Sequence, residues 1–241
     1  MSEYGGTGKK KFNQANTFPV PVSLRENKKN TIIFTNTPSK DKIMTKAFQL
    51  HAQGDILKAA KYYQNFINQG FDDYRVFTNY GVILNDLGKL KDAAISQRKA
   101  IALKPDYADS HCNLGTILKN LGNLKEAEIS TRKAISLNPN YSNAHLNLGS
   151  ILIDLGNLQE AEIYTRNAIK LNPNNPWAHS NLGIILCDLG KLQEAAISQR
   201  KAIELNPNFA EAHSTFGTIL KNLGNVKEAE FYTRKAIELN P

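Results

Sequence analysis

Four histidines recur at one interval. His111, His145, His179 and His213 stand 34 residues apart, and a repeated imidazole invites a metal or proton-transfer reading. Zinc ligands, however, must converge to about 2 Å from one ion. Residues one repeat apart on packed helices are separated by interaxial spacings of roughly 8–10 Å. The column therefore reads as half-buried packing histidines, with no metal site and no cofactor expected. Cys112 and Cys187, 75 residues apart, are too few for a thiolate zinc site and read as reduced thiols on helices. Gly5-Gly6-Thr7-Gly8-Lys9-Lys10 resembles the tail of a phosphate loop. The required first glycine would fall at Glu3, and Lys10 stands where Ser or Thr should meet magnesium. No Ser/His/Asp or Cys/His arrangement can be assembled, so no catalytic residue is assigned.

A second column carries a different chemistry. Asn79, Asn113, Asn147 and Asn181, with Thr215 closing the series, also step by 34. Each belongs to a stripe spaced 4, 3, 4, such as Asn143-Asn147-Ser150-Asp154 and Trp177-Asn181-Ile184-Asp188. Arg75 occupies the column of Asn143 and Trp177 in an earlier copy. A side-chain amide both donates and accepts, so a ladder of amides could grip the backbone of an extended peptide whatever its sequence. The expected binding residues are Asn79, Asn113, Asn147, Asn181, Thr215, Trp177, Arg75, Asn143, Asp154 and Asp188. Trp177 follows Pro176 at a helix start, and either anchors a ligand or packs on its neighbouring repeat.

The elements that must position these side chains follow from the same period, which marks a repeat architecture. In residues 142–175, Ala144, Leu148, Ile151, Leu152 and Leu155 form one apolar face of an α-helix. Gly156 ends it in the manner of a left-handed C-terminal glycine. Asn157 with Glu160, Asn123 with Glu126 and Asn225 with Glu228 fit a capping box for the second helix. Pro173 closes the unit, and Gly149 and Ala161 are small where two helices must approach.

On Leu148, Gly149, Ala161, Ala168 and Pro173, the chain resembles the tetratricopeptide repeat family. Five copies fit well, at 74–107, 108–141, 142–175, 176–209 and 210–241; a degenerate copy, 40–73, has Ala47 for the glycine and Phe71 for the proline. The histidine column departs from the usual bulky aromatic, which Phe77 keeps. The resemblance implies an all-α solenoid, a right-handed superhelix of helix-turn-helix units with a groove lined by the first helices. It further implies that groove asparagines bind extended peptide, as in the tetratricopeptide superhelix of O-GlcNAc transferase.

Composition agrees with a folded chain. Of 241 residues, 41% are hydrophobic, enough for a real core. No apolar run approaches the ~18 residues of a membrane span, and the first thirty residues lack a secretory signal, so a cytoplasmic protein with no membrane partner is expected. Residues 1–39 hold six Lys/Arg against two Asp/Glu, so half of the +8 formal charge sits in a short arm. That arm, Gly/Lys-rich at 5–11 and strand-like at Thr31-Ile32-Ile33-Phe34-Thr35, reads as mostly disordered. The near-balanced repeats argue against nucleic acid. The second helices do carry Arg98, Arg132, Arg166, Arg200 and Arg234, but Glu128, Glu162 and Glu230 stand four residues before three of them, a favourable helix pairing.

The function expected is a non-catalytic scaffold that binds a protein or peptide segment in its groove. The alternative is the substrate-selecting arm of, or a shortened relative of, an O-GlcNAc-transferase-like glycosyltransferase or other repeat-fused transferase. The chain stops at Pro241 with no capping helix. Ala236, Ile237 and Leu239 are therefore expected to be partly exposed, favouring end-to-end self-association.

Overall fold

The computed structural model describes residues 39–240; the basic N-terminal arm expected to be disordered lies outside the described residues. The chain divides into two compact units, 1–113 and 114–241. The first contains α1 (Lys40–Ala52), α2 (Ile56–Asn68), α3 (Tyr74–Asp86) and α4 (Leu90–Leu103). Helix α5 (Ala108–Asn120) runs across the division. The second contains α6 (Leu124–Leu137), α7 (Ser142–Asp154), α8 (Leu158–Leu171), α9 (Pro176–Asp188), α10 (Leu192–Leu205), α11 (Ala210–Asn222) and α12 (Val226–Leu239). Among the described residues every regular element is a helix.

The turn within each repeat is set by its glycine. Gly156 has φ +77°, a conformation that costs most L-residues roughly 1–2 kcal/mol. From there its N–H reaches the Ile153 carbonyl and the Asn157 N–H reaches the Leu152 carbonyl, both at 2.9 Å. These two bonds close the first helix as a Schellman motif. The capping boxes expected at the start of the next helix do not form. Asn123, Asn157 and Asn225 precede their second helices, but none accepts a side-chain cap bond. Each closes the helix behind it with its main chain, and Asn157 has ψ 63°. Glu160, freed from that role, crosses to Arg132 on α6 at 2.9 Å. Side-chain caps do occur at Asp73, which accepts from the Arg75 N–H, at Asn175, which accepts from the Trp177 N–H, and at Asp55, which follows a glycine turn of the same kind and accepts from the Lys58 N–H.

In the 1–113 unit the core gathers Ile43, Ala47, Leu50, Ala59, Tyr63, Phe66, Val76 and Ile83. Burying a large side chain of this kind stabilises by about 1.5–3 kcal/mol. Phe71, which replaces the proline of the later repeats, packs its ring tilted against that of Phe66, 5.4 Å between centres. In the 114–241 unit the core is built from layers: Leu148, Leu152, Ala161 and Ile185, then Leu182, Leu186, Ala195 and Ile219, then Phe216, Leu220 and Ala229. The interior glycines allow close approach. A Cβ on Gly149 would lie 2.4 Å from Thr165 Oγ1, and one on Gly183 would lie 2.6 Å from Gln199 Nε2.

Packing within the 114–241 unit is one-sided. Helix α7 packs on α9 and α9 on α11, in addition to their partners within and beside each repeat. The second helices are joined through long side chains instead: Arg132 of α6 to Glu160 of α8, and Arg166 of α8 to Glu194 of α10 at 3.0 Å. The unit therefore closes more tightly on its first-helix side. At its last helix Val226 and Ile237 are exposed, whereas Ile135, Ile169 and Ile203, the earlier counterparts of Ile237, are half-buried. Of the three residues expected to be uncovered there, Ala236 is buried and Leu239 half-buried.

Candidate peptide-binding face of the first helices

The histidine column is a set of joints between repeats. Nε2 of His111, His145, His179 and His213 lies 2.8–2.9 Å from the carbonyls of Pro105, Pro139, Pro173 and Pro207. A carbonyl only accepts, so each Nε2 carries the proton. The remaining Nδ1 of His145 and His213 is buried without a partner, and Tyr164 and Tyr232 lie against the rings at 5.8 and 5.7 Å. Among the described residues no cluster of three or more His, Cys, Asp or Glu could hold a metal. Cys112 is buried. Burial, with help from Asp188, pushes the Cys187 thiol up despite a hydrogen bond with Asn222, the reverse of what an activated nucleophile needs.

The asparagine column behaves differently in the two units. In the 1–113 unit Asn79 and Asn113 are 4% and 7% exposed. Asn79 Nδ2 donates to the Tyr63 hydroxyl at 3.3 Å, and that hydroxyl also meets His51 Nδ1 at 3.0 Å. Asn79 Oδ1 and Asn113 Nδ2 have no hydrogen-bond partner. These two amides are buried and do not form a solvated ladder, and Tyr63 packs against the first of them, Asn79. Arg75 is committed to its own helix cap. Its Nη2 lies 2.8 Å from Asp73 Oδ2 and its Nε 3.0 Å from Oδ1, and its guanidinium lies 5.7 Å from the Phe48 ring centre. Burial would raise the Asp73 carboxyl, but the bonds from Arg75 outweigh it and hold the group below the usual carboxylate range.

In the 114–241 unit the same column is accessible. Asn147, Asn181 and Thr215 are all half-buried, on α7, α9 and α11. Asn147 Nδ2 donates to Thr116 Oγ1 at 2.9 Å, and Lys119 reaches Ser150 Oγ at 2.6 Å and Asp154 Oδ2 at 3.4 Å. Thr215 Oγ1 donates to the Glu211 carbonyl in its own helix. Asn143 is half-buried, and Asp154 and Asp188 are exposed. Trp177 is 43% exposed, with its ring edge-on to Phe209 at 4.1 Å, so one side packs and the other is open. The three stripes are Asn143-Asn147-Ser150-Asp154, Trp177-Asn181-Ile184-Asp188 and Glu211-Thr215-Thr218-Asn222, on the side where the helices crowd together.

Thr116, Lys119 and Phe209 were not singled out from sequence. Lys119 and Asp154 are 35 residues apart, one repeat plus one residue, and that offset in opposite charges was the available signal. On the second helices Arg132, Arg166 and Arg234 are tied to Glu128, Glu162 and Glu230 at 2.9, 2.8 and 2.5 Å, so this face is charge-paired, as the spacing suggested. No described helix is long and apolar enough to cross a membrane.

Two tetratricopeptide repeat models match this chain, one at 108–141 and 142–175 and the other at 164–196 and 199–231, and a TPR repeat model matches 81–122. No curated protein matches it. Among solved structures, MamA is 25% identical with a TM-score of 0.58, over 66% of this chain and 93% of that one. YrrB, described as a TPR protein with an unusual peptide-binding site, is 25% identical with a TM-score of 0.58, over 76% of this chain and 94% of that one. A tetratricopeptide repeat protein from Parabacteroides merdae is 19% identical with a TM-score of 0.68, over 84% of this chain and 80% of that one, a likeness of fold alone. With the matched segments together spanning more than half of its residues and the helix pairs built as described, the chain belongs to the tetratricopeptide repeat family.

Proposed function

We propose that this protein is a non-catalytic scaffold whose 114–241 unit binds an extended segment of a protein partner across α7, α9 and α11. The observation that carries this reading is the triple stripe: three successive first helices carry side chains at the same 4, 3, 4 spacing, all polar except Ile184 and Trp177, with Trp177 open at one edge. Adjacent helices lie roughly 8–10 Å apart, and an extended peptide advances about 3.3 Å per residue. One amide or hydroxyl therefore meets the peptide backbone about every third residue, and about nine residues cross the three helices. Asn143, Asn147, Asn181 and Thr215 contact the backbone, Asp154 and Asp188 select for cationic side chains, and Trp177 packs an apolar one. Asn79, Asn113 and Arg75 support the corresponding face of the 1–113 unit from beneath. The likeness to YrrB supports a peptide ligand.

Trp177 is the sole tryptophan, so its fluorescence reports binding directly. Nine-residue peptides selected from a random library on the full chain should quench or shift it. Replacing Asn147 and Asn181 with Ala should weaken the selected peptide by about 1 kcal/mol each while leaving the urea midpoint in place. Unchanged affinity in the double variant, or an early unfolding transition, would sink the reading.

A further inference from the structure

Two neighbouring second helices turn an apolar side chain outward at the same place. Ile163 of α8 and Ile197 of α10 stand 34 residues apart and are 59% and 68% exposed. Ile129 of α6 and Phe231 of α12 continue the column and are equally open. This is not an end effect, because Ile129, Ile163 and Ile197 each have a further repeat behind them and stay uncovered. Around Ile163 and Ile197 the charges are sorted. One helical turn before them the only charges are Glu160 and Glu194; one turn after them the only charges are Arg166, Arg200 and Lys201. The apolar column therefore runs between an acidic edge and a basic edge. Arg166 is tied to Glu162 and Glu194 at 2.8 and 3.0 Å, and Lys201 to Glu204 at 3.1 Å. Arg200, with Ala196 where Arg166 has Glu162, makes no ion pair among the described residues and lies 5.7 Å from the ring centre of Phe216.

We propose that this face is a homodimer interface, in which α8 and α10 of one copy pack on α8 and α10 of a second copy. A closed pair presents the same patch from both copies, and the order of the charges selects its symmetry. A two-fold axis along the column lays the facing helices antiparallel, with Ile163 on Ile163 and Ile197 on Ile197. It also sets the acidic edge of each copy against the basic edge of the other. An axis along the helices would set like charges together. In the first arrangement Arg200 meets Glu194 of the second copy and gains the ion pair it lacks. A lipid surface or a nucleic acid would call for a basic excess, whereas the four second helices α6, α8, α10 and α12 carry ten Lys/Arg and nine Asp/Glu. Helices α8 and α10 have 14 residues each, so each is about 20 Å long, and they lie roughly 10 Å apart. Two such faces together bury roughly 1,000 Å², the low end for a specific pair, so the dimer is weak and reversible. The stripes of α7, α9 and α11 are not used by it, and the proposal does not rest on the peptide reading.

Sedimentation equilibrium of the full chain from about 1 to 500 μM tests this. The mass of the parent should rise from monomer to dimer and no further. Ile163→Lys/Ile197→Lys, at positions exposed enough to spare the fold, should raise the dissociation constant about a hundredfold, and Arg200→Glu about tenfold. Val226→Lys/Ile237→Lys, on the last helix, should leave it unchanged. Ile163→Cys and Ile197→Cys, made separately, should each oxidise to a disulfide-linked dimer, because the axis along the column places each residue against itself. A monomer at every concentration overturns the proposal, and if that monomer pellets with phosphatidylcholine–phosphatidylserine vesicles, the column belongs to a membrane. A dimer that survives Ile163→Lys/Ile197→Lys but not Val226→Lys/Ile237→Lys overturns it in favour of end-to-end contact. Linkage at only one of the two cysteines, or at neither, overturns the arrangement.

Discussion

Replacing Gly115 or Gly149 with Ala tests the close approach of paired helices, because the two sites differ in one bond. At Gly149 a Cβ would sit 2.4 Å from Thr165 Oγ1 and an ordinary 3.6 Å from Thr165 Cβ. That hydroxyl is buried and has no partner, so it can rotate away without losing a hydrogen bond. At Gly115 the Cβ would sit 2.0 Å from Thr131 Oγ1 and 3.2 Å from the Ala127 carbonyl, and Thr131 Oγ1 donates to that carbonyl at 2.8 Å. Overpacking costs about 1–3 kcal/mol, and Ala regains about 1 kcal/mol of helix propensity over Gly. The net cost at Gly149 is thus about 0–2 kcal/mol. Gly115→Ala loses a further ~1 kcal/mol for the displaced hydrogen bond. Urea unfolding followed by circular dichroism at 222 nm should rank parent, Gly149→Ala and Gly115→Ala in that order. Adding Thr165→Ala to Gly149→Ala should recover part of the loss, giving a coupling within the 0.5–3 kcal/mol range of contacting pairs. A Gly149 variant less stable than the Gly115 variant, or strict additivity with Thr165→Ala, would refute the reasoning.

The first repeat should also respond to acid. Burial holds the His51 imidazole below its ordinary value of 6.5, so the unfolded chain binds the proton first. The stability this contributes is full above pH 6.5 and is lost as pH falls through the folded value. Unfolding midpoints should therefore drop below pH 6.5, and His51→Phe should flatten that part of the profile. Arg132→Gln should cost about 1 kcal/mol, since its side chain is 37% exposed and that of Glu160 40%, with only Glu128 largely covered at 16%. Melting in 1 M NaCl should shrink the difference, and an undiminished cost there would mean packing, not charge, holds the second helices together.

Most of the fold was legible because its determinants are local. Gly156 needs φ > 0 whatever surrounds it, and Leu148, Ile151 and Leu152 share a face by helical spacing alone. The failed capping boxes show the limit of that logic. Asn157 carries a capping side chain at the right position and makes no cap bond, whereas Asp55, after the same kind of glycine turn, does. The candidate site was half legible for a related reason. Periodicity placed Asn79 and Asn147 in one column, yet whether an amide meets solvent depends on what packs over it. Tyr63 covers Asn79, and no tyrosine stands in that role over Asn147.

The His–Pro joints bear on how such an array can lengthen. His145 and Pro139 are six residues apart, so any 34-residue copy spliced in at the same frame carries its own fastener across the new junction. The arginine latch has no such independence, because Arg132 must find Glu160 in the following copy. Duplication can therefore outrun refinement: a newborn repeat is clipped in place at once by its imidazole, and its charged pairings can be edited afterwards, one junction at a time.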